Sequence, residues 1–161
     1  MTEPATFATR ESWKTEPLPA VRAPLPFDAS YTSDEFERLR RGLIPQQMED
    51  KWFIFFEEPW LYFHRSWTGH AVFGLRIERR DIAYKVVEAW VNLDPQQYHS
   101  ESVQHDLATL RMLIHFRLHS GGTSPPPKEL MDEWRKTLPQ QAQKTTPLSW
   151  WQKLMRSLFK T

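Results

Sequence analysis

Between Lys51 and Asp94 four stretches, WFIFFE, WLYFHRSW, HAVFGLRIE and IAYKVVEAWVNL, are dense in aromatic and β-branched residues and separated by turn residues. Residues of this kind fill a pleated, half-buried surface, so the spacing predicts four antiparallel strands joined as a meander. With tight turns at Glu58-Pro59 and Thr68-Gly69, alternation sorts the side chains onto two faces. One face holds Phe53, Phe55, Trp60, Tyr62, His64, Ser66, Phe73, Leu75 and Ile77. The other holds Trp52, Ile54, Phe56, Leu61, Phe63, Arg65, Trp67, His70, Val72 and Arg76. Both are apolar, so the sheet needs cover on both sides.

The flanking sequence offers that cover. In YTSDEFERLRRGLIP, Thr32 as N-cap and Glu35 three residues on form a capping box, and Gly42 followed by Pro45 stops the helix. ESVQHDLATLRMLIHFRLHSGG, after Ser100 as N-cap, puts Val103, Leu107, Leu110, Ile114 and Leu118 in an arc of roughly 80° and predicts a long helix on one sheet face. Met112 and Phe116 lie off that stripe and either meet a short helix in KELMDEWRKTL or remain exposed. The fold expected is α+β: a four-stranded antiparallel meander packed against a long helix, with short flanking helices. Residues 1–30, with scattered prolines, read as a disordered or surface-draped arm, 31–120 as the core domain, and 121–161 as a linker and C-terminal amphipathic helices.

Charge and composition narrow the partners. Twenty-one basic against twenty acidic residues leave a net charge of +1, so no overall field attracts nucleic acid. The absence of cysteine excludes disulfides, thiolate metal sites and a cysteine nucleophile, and fits a reducing compartment, the cytoplasm by default. The opening MTEPATFATRESW has acids and no apolar run, unlike a secretory signal. Near the end, PLSWWQKLMRSLFKT aligns Trp151, Leu154, Met155 and Leu158 opposite lysines. Such a helix suits docking on its own domain or on a protein partner better than contact with a membrane surface.

Chemistry is sparse. His64 and His70 suggest an acid/base pair beside Arg65, but the register points the two rings to opposite faces. Trp52, Arg65, Trp67, His70 and Arg76 share a face and could clamp an anion or stack on a base or a partner's ring. The structural alternative has Arg65 stacked on Trp67 and paired with Glu57 or Glu58. His115 and His119 have helical metal spacing without a third ligand, and no cofactor motif is found.

The run KWFIFFEEPWLYFHRSWTG resembles small bacterial proteins that share a W-L-Y-F-H-R-S-W-T-G hairpin, some of which carry labels linked to ADP-ribosylation. The likeness spans residues 51 to about 78 and brings no assigned catalytic residues. It implies bacterial origin and a modest link to nucleotide or ADP-ribose contact. Without a convergent polar constellation, the aromatic surplus favours a non-catalytic interaction protein, such as an immunity or antitoxin-like inhibitor, binding a protein partner through aromatic surfaces. The alternative is a small nucleotide or ADP-ribose binder or enzyme using Arg65, His70 and Trp67.

Overall fold

The computed structural model describes residues 7–46, 50–118 and 128–137. It is an α+β protein. In chain order it contains a 3₁₀ turn (Arg10–Ser12), β1 (Arg22–Pro24), β2 (Ser30–Tyr31), α1 (Ser33–Arg41), β3 (Trp52–Glu57), β4 (Trp60–Arg65), β5 (Ala71–Arg80), β6 (Ala83–Asn92), α2 (Val103–Leu118) and α3 (Lys128–Lys136). All pairings are antiparallel in the order β1-β6-β5-β4-β3, with β2 also on β6. The sheet therefore has six strands where the sequence suggested four. The added pair comes from the proline-containing N-terminal segment, whose Leu25 and Phe27 are buried. Pro24 closes β1 at the sheet's edge, a place where a strand tolerates a missing N–H.

α1 forms where its caps predict. Glu35 N–H donates to the Thr32 hydroxyl at 3.2 Å, and Thr32 N–H donates to the Glu35 carboxylate at 2.9 Å. Gly42, at φ 71°, ends the helix and passes so close to the Ile54 carbonyl that a Cβ would collide with it.

The hairpins decide the faces. β3 and β4 close through a two-residue turn with Glu57 opposite Trp60, and their alternation follows the sequence. The β4–β5 connection is a four-residue loop, 66–69, closed by Arg65 N–H donating to the His70 carbonyl at 2.9 Å. His64 pairs with Ala71 but Phe63 pairs with Phe73, so β5 has one extra residue, a bulge at Val72. From Phe73 onward the expected faces are exchanged. Phe73, Leu75 and Ile77 join Trp52, Ile54, Leu61 and Phe63, whereas Arg76 moves to the side of Trp60 and Tyr62. A second irregularity, between Arg76 and Ile77, adjusts the pairing with β6.

Both faces are covered by the chain itself. α2 seats Leu110, Leu113 and Ile114 on the first face, joined by Leu39 of α1. Of the stripe expected on α2, Val103 is instead exposed. The helix is capped by Ser102, whose hydroxyl accepts from His105 N–H, rather than by Ser100. The other face, with Phe53, Phe55, Tyr62, Ala71 and Trp90, is roofed by Ala8 and Trp13 of the N-terminal segment. Gly74 lies directly beneath the Trp90 indole, where a side chain would have no room. On the far side of α2, Ala108, Met112 and Phe116 bury against Trp134 of α3, which accounts for the two apolar residues off the main stripe. At about 1.5–3 kcal/mol per large apolar side chain buried, these three clusters are the main stabilising term. Among the described residues no helix is long and apolar enough to cross a membrane.

Candidate functional site

The six residues singled out around the β4–β5 hairpin separate into three environments. Trp52 and Arg65 are cross-strand partners on the α2 side of the sheet, and the Arg65 guanidinium lies 4.4 Å above the Trp52 ring and 6.0 Å from the Tyr98 ring. His70 closes the ladder opposite Arg65, so alternation puts it on the same side. His64 is on the opposite face and Arg76 has crossed to that face as well. Trp67 stands at the tip of the loop, 61 % exposed.

Arg65 does not make the contacts expected of it. It stacks on Trp52 rather than Trp67, because Trp52 faces it across the strand pair while Trp67 is two residues into the loop. Glu57 is engaged elsewhere, in a bidentate pair with Arg10 at 3.0 Å for each bond. Among the described residues no carboxylate forms an ion pair with Arg65. Burial pulls its pKa below the ordinary guanidinium value, though it remains a cation held on aromatic faces. Trp52 beneath it is only 3 % exposed, so little of that ring is available to a ligand.

Next to Arg65 is a polar cluster that the sequence did not single out. Asp106 of α2 is fully buried and accepts the Tyr98 hydroxyl at 2.7 Å and the Ser100 hydroxyl at 2.5 Å. Two hydroxyl donors satisfy a buried carboxylate that forms no ion pair among the described residues, and they tie the 93–102 loop to α2. Burial and Asp106 both raise the Tyr98 pKa far above its usual value, so the phenol keeps its proton for this bond. The only hint in the sequence was an acid inside an apolar helix.

His64 is fully buried among Phe53, Phe55 and Tyr62, with its ring 5.2 Å from that of Phe55. Its Nδ1–H is directed at the Gly69 carbonyl at 2.8 Å, and Nε2 has no hydrogen-bond partner among the described residues. Burial lowers its pKa, the Gly69 carbonyl opposes this, and the nearby Arg10 charge lowers it further. The ring is therefore neutral near pH 7. The Gly69 carbonyl also accepts Glu16 N–H at 2.8 Å, and Trp13 Nε1–H donates to the Ser66 carbonyl at 2.7 Å. These bonds fasten the N-terminal segment as a strap over the His64 side of the hairpin. An acid/base pair of His64 and His70 is not assembled.

Arg76 is paired with Glu88 at 3.4 Å and Glu78 at 3.5 Å, in a charged ladder extended by Arg80. Among the described residues no cluster of three or more histidine or acidic side chains is arranged to hold a metal. His119, Trp151, Leu154, Met155 and Leu158 lie outside the described residues.

The surface carries a different pattern. The large apolar side chains exposed among the described residues are Phe7, Leu18, Val21, Trp67, Ile82, Leu93 and Val103. Five of them share one end of the sheet. Trp67 is in the β4–β5 loop, Val21 and Leu93 adjoin through Leu93 N–H donating to Val21 O at 3.0 Å, Leu18 is in the strap that crosses this end, and Val103 opens α2. Ile82 marks the opposite end, among Arg79, Arg80 and Asp81.

Comparison with protein-family models, with curated proteins and with solved structures finds no match to this chain. What the fold and surface define is thus an α+β domain with closed sheet faces and one apolar end.

Proposed function

We propose that this protein is a non-catalytic binding module that engages a protein partner through the apolar end of its sheet, as an immunity or antitoxin-like inhibitor does. The observation behind this reading is the segregation of exposed apolar side chains: Leu18, Val21, Trp67, Leu93 and Val103 at one end, a charged hairpin at the other. A patch that includes an exposed Trp, Trp67, carries the kind of residue that anchors protein interfaces. The polar groups best suited to chemistry are occupied inside the fold. His64 is core, Arg65 is stacked on Trp52, and Asp106 is saturated by hydroxyls.

The nucleotide or ADP-ribose reading of Arg65, His70 and Trp67 has weaker support, since the Trp52 ring on which Arg65 stacks is covered. The two are separated by paired measurements. The full chain should capture a specific protein from an extract of the source organism, and Leu93→Glu or Trp67→Ala should lose it while Ile82→Glu at the opposite end retains it. Equal loss at both ends overturns the assignment of the surface. A thermal shift with a nucleotide or ADP-ribose, abolished by Arg65→Ala, would instead establish the ligand reading.

A further inference from the structure

One cation at the apolar end of the sheet is left without an anion. Arg65 ends β4 where the loop bearing Trp67 begins, and its guanidinium lies 4.4 Å above the Trp52 ring and 6.0 Å from the Tyr98 ring. Stacking holds a guanidinium by its face and leaves the N–H donors in its plane free. Among the described residues those donors reach no acceptor, and none of the Arg65 nitrogens is sealed from solvent. The acids of the neighbouring segments, 50–52 and 93–106, all turn to other groups. Asp50 accepts Gln46 N–H at 2.9 Å, Asp94 accepts Gln96 N–H at 3.0 Å, Glu101 faces His99 at 3.4 Å, and Asp106 takes the Tyr98 and Ser100 hydroxyls. Directly across the ladder, His70 has a buried Nδ1 with no hydrogen-bond partner among the described residues. We propose that the free edge of Arg65 receives a carboxylate of the protein partner, an Asp or Glu side chain or a chain terminus flanked by apolar residues. This rests on the reading of that end as the partner surface, and it names the chemistry the partner must bring.

Charge complementarity selects this occupant. A leucine or methionine would cover Trp52 with no cation to desolvate, so stacking alone does not account for a guanidinium here. A purely apolar partner would cover Arg65 without supplying an acceptor and strand its donors away from water. A carboxylate matches the planar fork with two parallel N–H···O bonds. A nucleotide phosphate would meet the same edge, but its base needs an open ring to stack on, and Trp52 is only 3 % exposed. Because Trp52 already fixes the guanidinium, little rotamer freedom is left to lose when the partner arrives. The pair discriminates among partners more than it adds affinity, since a partner lacking the acid buries Arg65 unpaired.

The test needs no knowledge of the partner. The probe is benzoate, a carboxylate on an apolar ring, with benzamide as its uncharged counterpart and inorganic phosphate as the competing anion. The full chain carries isotope-labelled arginine, and the Arg65 Nε–H resonance is assigned by its loss in Arg65→Lys. At constant ionic strength benzoate should shift that resonance saturably and more tightly than phosphate, while benzamide should not saturate it. Arg79, whose Nε–H already donates to the Asp81 carbonyl at 3.2 Å in the opposite hairpin, should show no saturable shift. No saturation at Arg65, or an equal response at Arg79, overturns the proposal. Tighter binding of phosphate overturns it in favour of a phosphoryl ligand. In the extract experiment Arg65→Leu, which keeps apolar cover over Trp52, should weaken partner binding by roughly thirtyfold or more. Thermal unfolding of Arg65→Leu and Leu93→Glu establishes that both are folded. Full binding by Arg65→Leu, with loss in Leu93→Glu, overturns this inference and leaves the partner surface standing. A saturable benzoate site with capture indifferent to Leu93→Glu overturns the functional reading and leaves Arg65 as a carboxylate site.

Discussion

Acidification should weaken this fold through one buried ring. His64 is fully buried, gives its Nδ1–H to Gly69 and has its pKa lowered from 6.5, chiefly by burial. In the unfolded chain the same ring titrates at its ordinary value, so below 6.5 the unfolded state binds a proton that the folded state refuses. Stability is therefore complete above that value and falls as the pH drops below it, until the folded ring itself titrates. Between about pH 7 and about pH 5.5 the loss reaches a ceiling of about 1.2 kcal/mol, attained when the folded ring takes up no proton in that window. The test is urea unfolding followed by tryptophan fluorescence at both pH values, for the native chain and for His64→Asn. The Asn side chain retains an N–H near the Nδ1 position but cannot titrate. It lowers stability at both pH values through the lost ring volume, and its midpoint should be less sensitive to acid than the native midpoint, by at most about 0.6 M urea, taking m near 2 kcal/mol/M. His105, whose pKa burial also lowers, is present in both proteins and drops out of the difference. Equal acid sensitivity of the two proteins would refute the assignment of the proton to His64.

Three further outcomes follow from the geometry. Gly74→Ala puts a methyl into the Trp90 indole and should cost about 1–3 kcal/mol in thermal unfolding, whereas an unchanged Tm would show that the ring has room to move. Thr32→Ala removes the side-chain acceptor of the α1 capping box and should cost about 1 kcal/mol, read from the urea midpoint, and Thr32→Ser should restore most of it. Arg65→Leu, which gives up a stacked cation without a carboxylate partner, should alter stability by less than about 1 kcal/mol, while Arg65→Ala loses the packing on Trp52 and should cost more. A larger loss for Leu than for Ala would mean that the guanidinium has a polar role beyond its stacking.

The β3–β4 faces were legible because a two-residue turn leaves no freedom in register once the alternation of WFIFFE and WLYFHR is read. The next hairpin was not. In AVFGLRIE the residues at 72, 73 and 75 are apolar in both phases, so a single extra residue at Val72 exchanges the faces without leaving a trace in the pattern. That slip is why Arg76 left the group assigned to Arg65. The one clue was Gly74, a residue with no side chain at a position that a neighbouring indole must occupy. The N-terminal segment was opaque for a related reason. Its prolines exclude a helix, but the edge of a sheet accepts them, and no local signal announces an edge.

Local pattern was enough for the α+β class, the bounds and capping of α1, the strand-rich middle and most of the apolar stripe on α2, because each rests on periodicity or capping between residues close in the chain. Packing in three dimensions set which faces the later strands present, laid the N-terminal segment over the His64 side of the sheet, put Arg65 on Trp52, and gathered five scattered apolar residues at one end. Those arrangements depend on a bulge and on pairings between residues far apart in sequence, where packing, not local preference, sets the energy.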